Sequence, residues 1–335
     1  MDLKAKFHKK TFNFKRPSGT SRGVLTEKHS WFIELWDSNN PDVIGIGECS
    51  VIPGLSPDYA DAFTYETKIK SVCNDLEQDL SDWPSIKFGV ETAFLDMQNG
   101  GKRILFDNKF SQSKTGIKIN GLIWMGDEEF LQAQVKEKLQ LGFTTIKMKI
   151  GALEFDKELR ILDSIRKKYS AKEITLRVDA NGAFSLDEAI KKLTLLSELD
   201  VHSIEQPIRA GQWNNMRILC RETPLPIALD EELIGINTKE KKIELLNTIK
   251  PQFIIIKPSL HGGISGSKEW IEIANNSEIQ WWMTSALESN IGLNAICQLA
   301  AEFDNSLPQG LGTGSLYTEN IKSNLVVQNG SIYFE

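Results

Sequence analysis

Three lysines and three carboxylates in this chain each lie at the end of a short apolar run, and together they could do chemistry that none could do alone. In Thr144-Thr145-Ile146-Lys147-Met148-Lys149-Ile150-Gly151, strand geometry puts Lys147 and Lys149 on one face and Ile146, Met148 and Ile150 on the other. Two cations sharing a face repel unless carboxylates or a bound anion stand opposite. Three later runs end in Asp179, Glu205 and Asp230, and a fourth, Phe253 to Ile256, ends at Lys257. Carboxylates brought together need a cation, and an all-oxygen set suits a hard divalent ion, Mg2+ or Mn2+, rather than zinc. A lysine facing that site has its pKa lowered by the cation and by burial, which equips it to take the proton α to a carboxylate near neutral pH. The ion then stabilises the negative charge that develops.

The elements that must position these residues follow from the texture of the chain. Asp179 and Glu205 are 26 residues apart and Glu205 and Asp230 25 apart, about one βα unit each. From Lys118 onward short apolar runs alternate with helical patterns, the signature of βα units around a parallel sheet. Eight candidate strands begin near Lys118, Thr144, Ile174, Ser203, Ile227, Phe253, Ile279 and Leu307. An α/β TIM-type barrel is expected, with chemistry at the C-terminal ends of its strands. Ser185-Leu186-Asp187-Glu188 reads as a capping box at one helix start. Before the barrel, residues 1 to about 50 alternate apolar and polar positions as in an antiparallel sheet, and amphipathic runs follow over 59–80 and 86–97. The tail, Asn324 to Tyr333, carries an Asn-Gly turn between β-like halves and is expected to return to the N-terminal sheet.

Composition narrows the class of partner. The net charge of -6 gives no reason to expect nucleic acid or an anionic membrane. Cys49, Cys73, Cys220 and Cys297 lack the paired spacing of a zinc site or a disulfide framework. His8, His29, His202 and His261 are scattered and read as surface or loop residues. The start has no apolar leader pattern, and no run reaches the roughly 18 apolar residues of a membrane span. A soluble, cytoplasmic protein acting on a small-molecule carboxylate is the expectation.

The Lys147-x-Lys149 strand, Val178-Asp179-Ala180-Asn181, Glu205-Gln206-Pro207, Asp230-Glu231 and Ile256-Lys257-Pro258 together resemble the enolase superfamily, muconate-lactonizing branch. The resemblance spans the chain and implies a modified TIM barrel, (β/α)7β, at 116–315. It implies too an N-terminal α+β capping domain at 1–115, completed by the tail 316–335. It further implies that Asp179, Glu205 and Asp230 bind Mg2+, that Lys149 is the base on one face of the substrate with Lys147 assisting, and that Lys257 stands on the opposite face. Ser285-Ala286-Leu287-Glu288-Ser289-Asn290-Ile291-Gly292 is similar to the substrate-carboxylate loop of the o-succinylbenzoate synthases of that branch. Asn181, Ser285 and Ser289 are accordingly candidate substrate contacts. The segments Gly47 to Ser50 and Pro53 to Ser56 are similar to the loop of the cap that closes over the substrate. For such a synthase the expected reaction is dehydration of a succinyl-bearing cyclohexadiene carboxylate to an aromatic ring. Related dipeptide epimerases are expected to carry Asp-x-Asp where this chain reads Gly310-Leu311-Gly312-Thr313-Gly314, which counts against a dipeptide.

Taken singly, each residue has a plainer reading. Lys-x-Lys can be a solvated strand end, Asp179 a turn cap before Asn181-Gly182, Glu48 a sheet-edge charge, and Glu288 with Ser289 merely a helix start. Three activities remain open on the joint pattern: the dehydratase; a racemase or epimerase of N-acylamino acids or dipeptides using Lys149 and Lys257 on opposite faces; and a metal-free Schiff-base aldolase. A non-catalytic binding protein on the same scaffold is the fourth.

Overall fold

A computed structural model describes residues 1–20, 23–124, 127–151 and 153–335. Strands β1 (Leu3–Thr20), β2 (Gly23–Asp37) and β3 (Asn40–Ser50) form an antiparallel sheet in that order. Its alternation sorts side chains to two faces. Trp31, Ile33 and Leu35 pack on Tyr65, Ile69 and Val72 of α1 (Ala62–Asn74) and on Ile86 and Ala93 of α2 (Pro84–Gln98). Asp61 caps α1 by accepting from Thr64 N at 2.9 Å, and Pro84 opens α2. The sheet and α2 meet backbone to backbone, since a Cβ on Gly47 would lie 1.8 Å from the Gly89 oxygen. The opposite face, with Phe12 and Phe32, packs on Leu260, Ala286, Leu287 and Ile291 of the second unit.

That unit begins with β4 (Ile117–Lys118) and continues β5 (Gly121–Ile123), α3 (Glu128–Gln140), β6 (Thr145–Lys149), α4 (Phe155–Lys168), β7 (Thr175–Asp179), α5 (Leu186–Ser197), β8 (Ser203–Glu205) and α6 (Trp213–Glu222). It goes on through β9 (Ile227–Leu229), α7 (Lys239–Ile249), β10 (Phe253–Ile256), α8 (Gly263–Asn276), β11 (Gln280–Met283) and α9 (Asn290–Ala300). Strands β5 to β11 pair in parallel in chain order. The expected eighth strand is only Gln309 and Gly310, yet it closes the ring. Gln309 N donates to Lys118 O (2.8 Å), Asn120 N to Gln309 O (2.9 Å), Gly310 N to Met283 O (2.7 Å) and Ser285 N to Gly310 O (3.1 Å). Ala228, Phe253, Ile255 and Trp282 fill the interior, and a larger apolar shell lies between sheet and helices.

Two local expectations are corrected. Ser185 is the N-cap of α5, but its hydroxyl bonds the Glu188 carboxylate (2.7 Å) and no backbone amide bonds to it. The tail hairpin, β12 (Leu325–Gln328) and β13 (Ser331–Phe334), pairs with β4 instead of the N-terminal sheet. Only the preceding stretch reaches β1, where Phe14 bridges Tyr317. The turn itself has the conformation that its sequence predicts, with Asn329 and Gly330 both at positive φ (49° and 68°). Among the described residues no helix is long and apolar enough to cross a membrane.

Candidate active site

The parallel register brings the charged strand ends level: Lys147 lies beside Arg177, Lys149 beside Asp179, and Asp179 beside Glu205. Strands β6 and β10 are four places apart in a ring of eight, so Lys149 and Lys257 face one another across its mouth. Both line a cavity shared with Lys147, Asp179, Asn181, Glu231 and Ser285. Its walls are apolar: Ile52 and Leu55 come from the loop after β3, Leu122 from β5 and Trp124 from just past its end, Ala286 and Leu287 from the loop after β11.

The charges are tightly paired. Lys147 Nζ lies 2.9 Å from Asp179 Oδ2 and 2.6 Å from Glu205 Oε2. Lys149 Nζ lies 3.3 Å from the same Asp179 oxygen and donates to Asn181 Oδ1 at 2.6 Å, while Lys257 pairs with Asp230. Burial disfavours the charged forms of Lys147, Lys257, Asp179 and Glu205, and their neighbours decide the outcome. For Lys147, burial is outweighed by Asp179, Glu205 and Asp230, so its pKa rises above the ordinary lysine value. Lys257 is likewise raised, by Asp230 above all, against its burial. Asp179 falls below the usual carboxylate range because Lys147 and Lys149 outweigh its desolvation. Glu205 goes the other way, pushed up to about 8 by burial and by the Asp179 charge. Lys147 and Lys257 are thus held in the ammonium form by the carboxylates that they face.

Among the described residues no three acidic, His or Cys side chains already surround one point, because the ammonium groups of Lys147 and Lys257 stand against the carboxylates. The donor set nevertheless suits a hard cation. Among the described residues Glu205 Oε1 and Asp230 Oδ1 are buried with no hydrogen-bond partner, a costly state that a cation would relieve. Asp179 Oδ1 accepts the Asn181 amide at 3.1 Å.

Of the candidate substrate contacts, Asn181 and Ser285 line the cavity; Ser289 does not. Its hydroxyl donates to Glu48, and it caps α9, so the helix-start reading is the correct one for Ser289. His261 is no surface residue: it is buried, and its Nδ1 accepts from Lys257 N at 3.0 Å. Two residues escaped sequence reasoning. Glu231 lines the cavity and accepts from Asn181 Nδ2 at 3.1 Å; its adjacency to Asp230 was the available signal. Arg177 is buried inside the barrel with its guanidinium 3.9 Å from the centre of the Trp282 ring.

Residues 131–335 match the enolase C-terminal domain-like family. The chain belongs to that family. An o-succinylbenzoate synthase of Desulfotalea psychrophila is 44% identical over 95% of each chain. The crystal structure of MenC from Desulfotalea psychrophila superposes with a TM-score of 0.86 at 39% identity, covering 99% of this chain and 100% of that one. The L-Ala-D/L-Glu epimerase of Bacillus subtilis is more distant, 24% identical over 70% of this chain and 64% of its own. Both synthases and epimerases are thus among its relatives.

Proposed function

We propose that this chain is an o-succinylbenzoate synthase, converting 2-succinyl-6-hydroxy-2,4-cyclohexadiene-1-carboxylate to 2-succinylbenzoate and water, a step of menaquinone biosynthesis. The site that any such reading needs is the pair Lys149 and Lys257, facing each other across one apolar-walled cavity that Asp179 also lines; the observation that carries the synthase reading is the likeness to a synthase along the chain. The 44% identity over nearly the whole chain favours the synthase over the epimerases.

In this reading residues 1–115 form the cap, joined at β1 by the stretch around Tyr317, while the hairpin 325–334 stays with β4; Asp179, Glu205 and Asp230 would hold a divalent cation, Mg2+ or Mn2+. The cation supplies Lewis-acid stabilisation of the negative charge that develops on the substrate carboxylate. Lys149 takes the proton α to that carboxylate. The same ammonium then returns the proton to the departing hydroxide as the C–O bond breaks, releasing water and leaving the ring aromatic. Lys257 remains protonated opposite, its charge over the ring worth about 0.5 to 2 kcal/mol. Asn181 orients Lys149 through the 2.6 Å bond, and Ser285 bonds the substrate from the opposite wall. Ile52, Leu55, Trp124 and Leu287 exclude water.

The test is an ultraviolet assay for the aromatic product with Mg2+ and with chelator, on wild type and Lys149→Ala. Turnover that requires both metal and Lys149 supports the assignment; a metal-loaded enzyme that leaves the diene unchanged sinks it. The epimerase reading draws on the same two lysines, but where an ammonium-binding Asp-x-Asp is expected, the cavity offers only Gly310, Gly312 and Thr313. Exchange of a substrate α-proton with solvent deuterium, with inversion, would favour it.

A further inference from the structure

The barrel-facing side of the N-terminal sheet carries a buried polar row with no part in the chemistry above. Lys28, Ser30 and Phe32 point that way along β2, and Glu48 and Ser50 stand opposite Phe32 and Ser30 on β3. Glu48 is fully buried, and its carboxylate accepts four hydrogen bonds: Ser30 Oγ (2.7 Å) and Ser289 N (2.9 Å) on Oε1, Ser289 Oγ (2.5 Å) and Gly292 N (2.9 Å) on Oε2. Three of the four donors lie at the N-cap and in the first turn of α9, so a carboxylate of one unit caps a helix of the other. Lys28, also buried, bonds Ser50 and is attracted by both Glu48 and Glu288. Glu288 in turn accepts from Ser259 Oγ (2.6 Å), two residues past Lys257, and from Ser285 Oγ (2.7 Å), which lines the cavity.

Between these anchors Leu287 sits at φ 62°, a conformation a leucine holds only where its surroundings impose it. Tyr317 Oη fixes its carbonyl at 2.6 Å. Gly292 is part of the same fit, since a Cβ there would lie 2.7 Å from Glu288 Cγ and 3.0 Å from Glu48 Oε2. The Glu48–Ser289 and Glu288–Ser285 bonds are buried, and the two sets are joined through the peptide between Glu288 and Ser289; buried polar sets of this kind hold one geometry only when complete.

We propose that Glu48 and Glu288 are positioning residues that transmit the docking of the N-terminal sheet to the substrate-facing loop 285–287. The proposal rests on the dehydratase reading for its kinetic consequence and on geometry alone for its structural one. Glu48→Gln keeps the shape but turns an amide NH2 or a single overloaded oxygen toward donors that a carboxylate satisfied. Ser289→Ala removes one of the four bonds and is the milder variant.

Three measurements on the full-length protein test this: KM and kcat for the diene, Mg2+ binding by calorimetry, and amide hydrogen exchange of the segment 284–292. Expected for both variants, and for Glu288→Gln, are a KM raised about tenfold or more, Mg2+ affinity within twofold of wild type, and faster exchange in 284–292. A lowered melting temperature with unchanged KM and unchanged exchange in that segment would overturn the proposal and leave these residues a purely structural role. If the wild type does not turn over the diene, the functional reading fails, while exchange and Mg2+ affinity still decide whether Glu48 holds the loop.

Discussion

Lys147 and Glu205 meet across the intervening strand β7, Nζ to Oε2 at 2.6 Å, both side chains buried. The lysine's other partner, Asp179, is on that middle strand at 2.9 Å. One ammonium thus bridges two of the three carboxylates proposed to hold the cation. A divalent ion and Lys147 act on the same charges, which makes the site's behaviour with and without metal a sensitive test.

Magnesium should stabilise the fold measurably. A ligand at about a hundredfold its Kd adds about 2.7 kcal/mol to the native state. A melting temperature several degrees higher in excess Mg2+ than in EDTA is expected for wild type. Asp230→Asn should lose most of that increment, because it removes a carboxylate whose Oδ1 is buried and unpartnered. An equal shift in both proteins would place the cation elsewhere.

Removing the proposed base should abolish turnover while sparing the fold. Lys149→Ala is expected to lower kcat by about a thousandfold, in the range of a lost general base. Its melting temperature should stay near that of wild type, because Asp179 keeps Lys147 as a partner. The comparison needs circular dichroism beside the assay; residual activity within tenfold of wild type would refute the role.

Arginine separates the parts that the two lysines play. A guanidinium keeps positive charge but stays protonated at neutral pH. Lys257→Arg should therefore retain turnover within roughly a hundredfold, while Lys149→Arg is as inactive as Lys149→Ala. Equal loss at both positions would indicate that Lys257 also moves a proton.

A pH prediction comes from the N-terminal unit. Asp58 is buried; its Oδ2 accepts Ser85 N (2.9 Å) and Ser85 Oγ (2.6 Å), but among the described residues its Oδ1 has no partner. Burial, only partly offset by Ser85, raises its pKa from 3.8 to about 6. Between those values the folded state binds this proton more tightly than the unfolded state does, so stability from Asp58 is greatest below about pH 4 and is lost as pH rises to 6. The loss is on the order of 3 kcal/mol. Asp58→Asn mimics the protonated form, so urea unfolding should show wild type losing about that much relative to the variant from pH 4 to 6.5. A difference that does not vary with pH would contradict this.

The amino-acid sequence by itself determined the barrel, the strand ends that carry Lys147, Lys149, Asp179, Glu205, Asp230 and Lys257, and the Asn329-Gly330 turn. These are local matters: strand alternation sets faces, the length of a βα unit sets spacing, and positive φ selects turn residues. Tertiary structure alone decided what covers each face. Alternation along β2 and β3 marks Lys28, Ser30, Glu48 and Ser50 as one side of a sheet, and a polar side reads as solvent-facing. Docking on α9 buries them instead, and Glu48 finds Ser289 at a separation of 241 residues. The same holds for the hairpin that chose β4, for His261 beneath Lys257 and for Arg177 against Trp282. A polar residue's partner across the fold leaves no periodic trace in the chain, because the bond depends on where two distant segments come to rest and not on the pattern of either one.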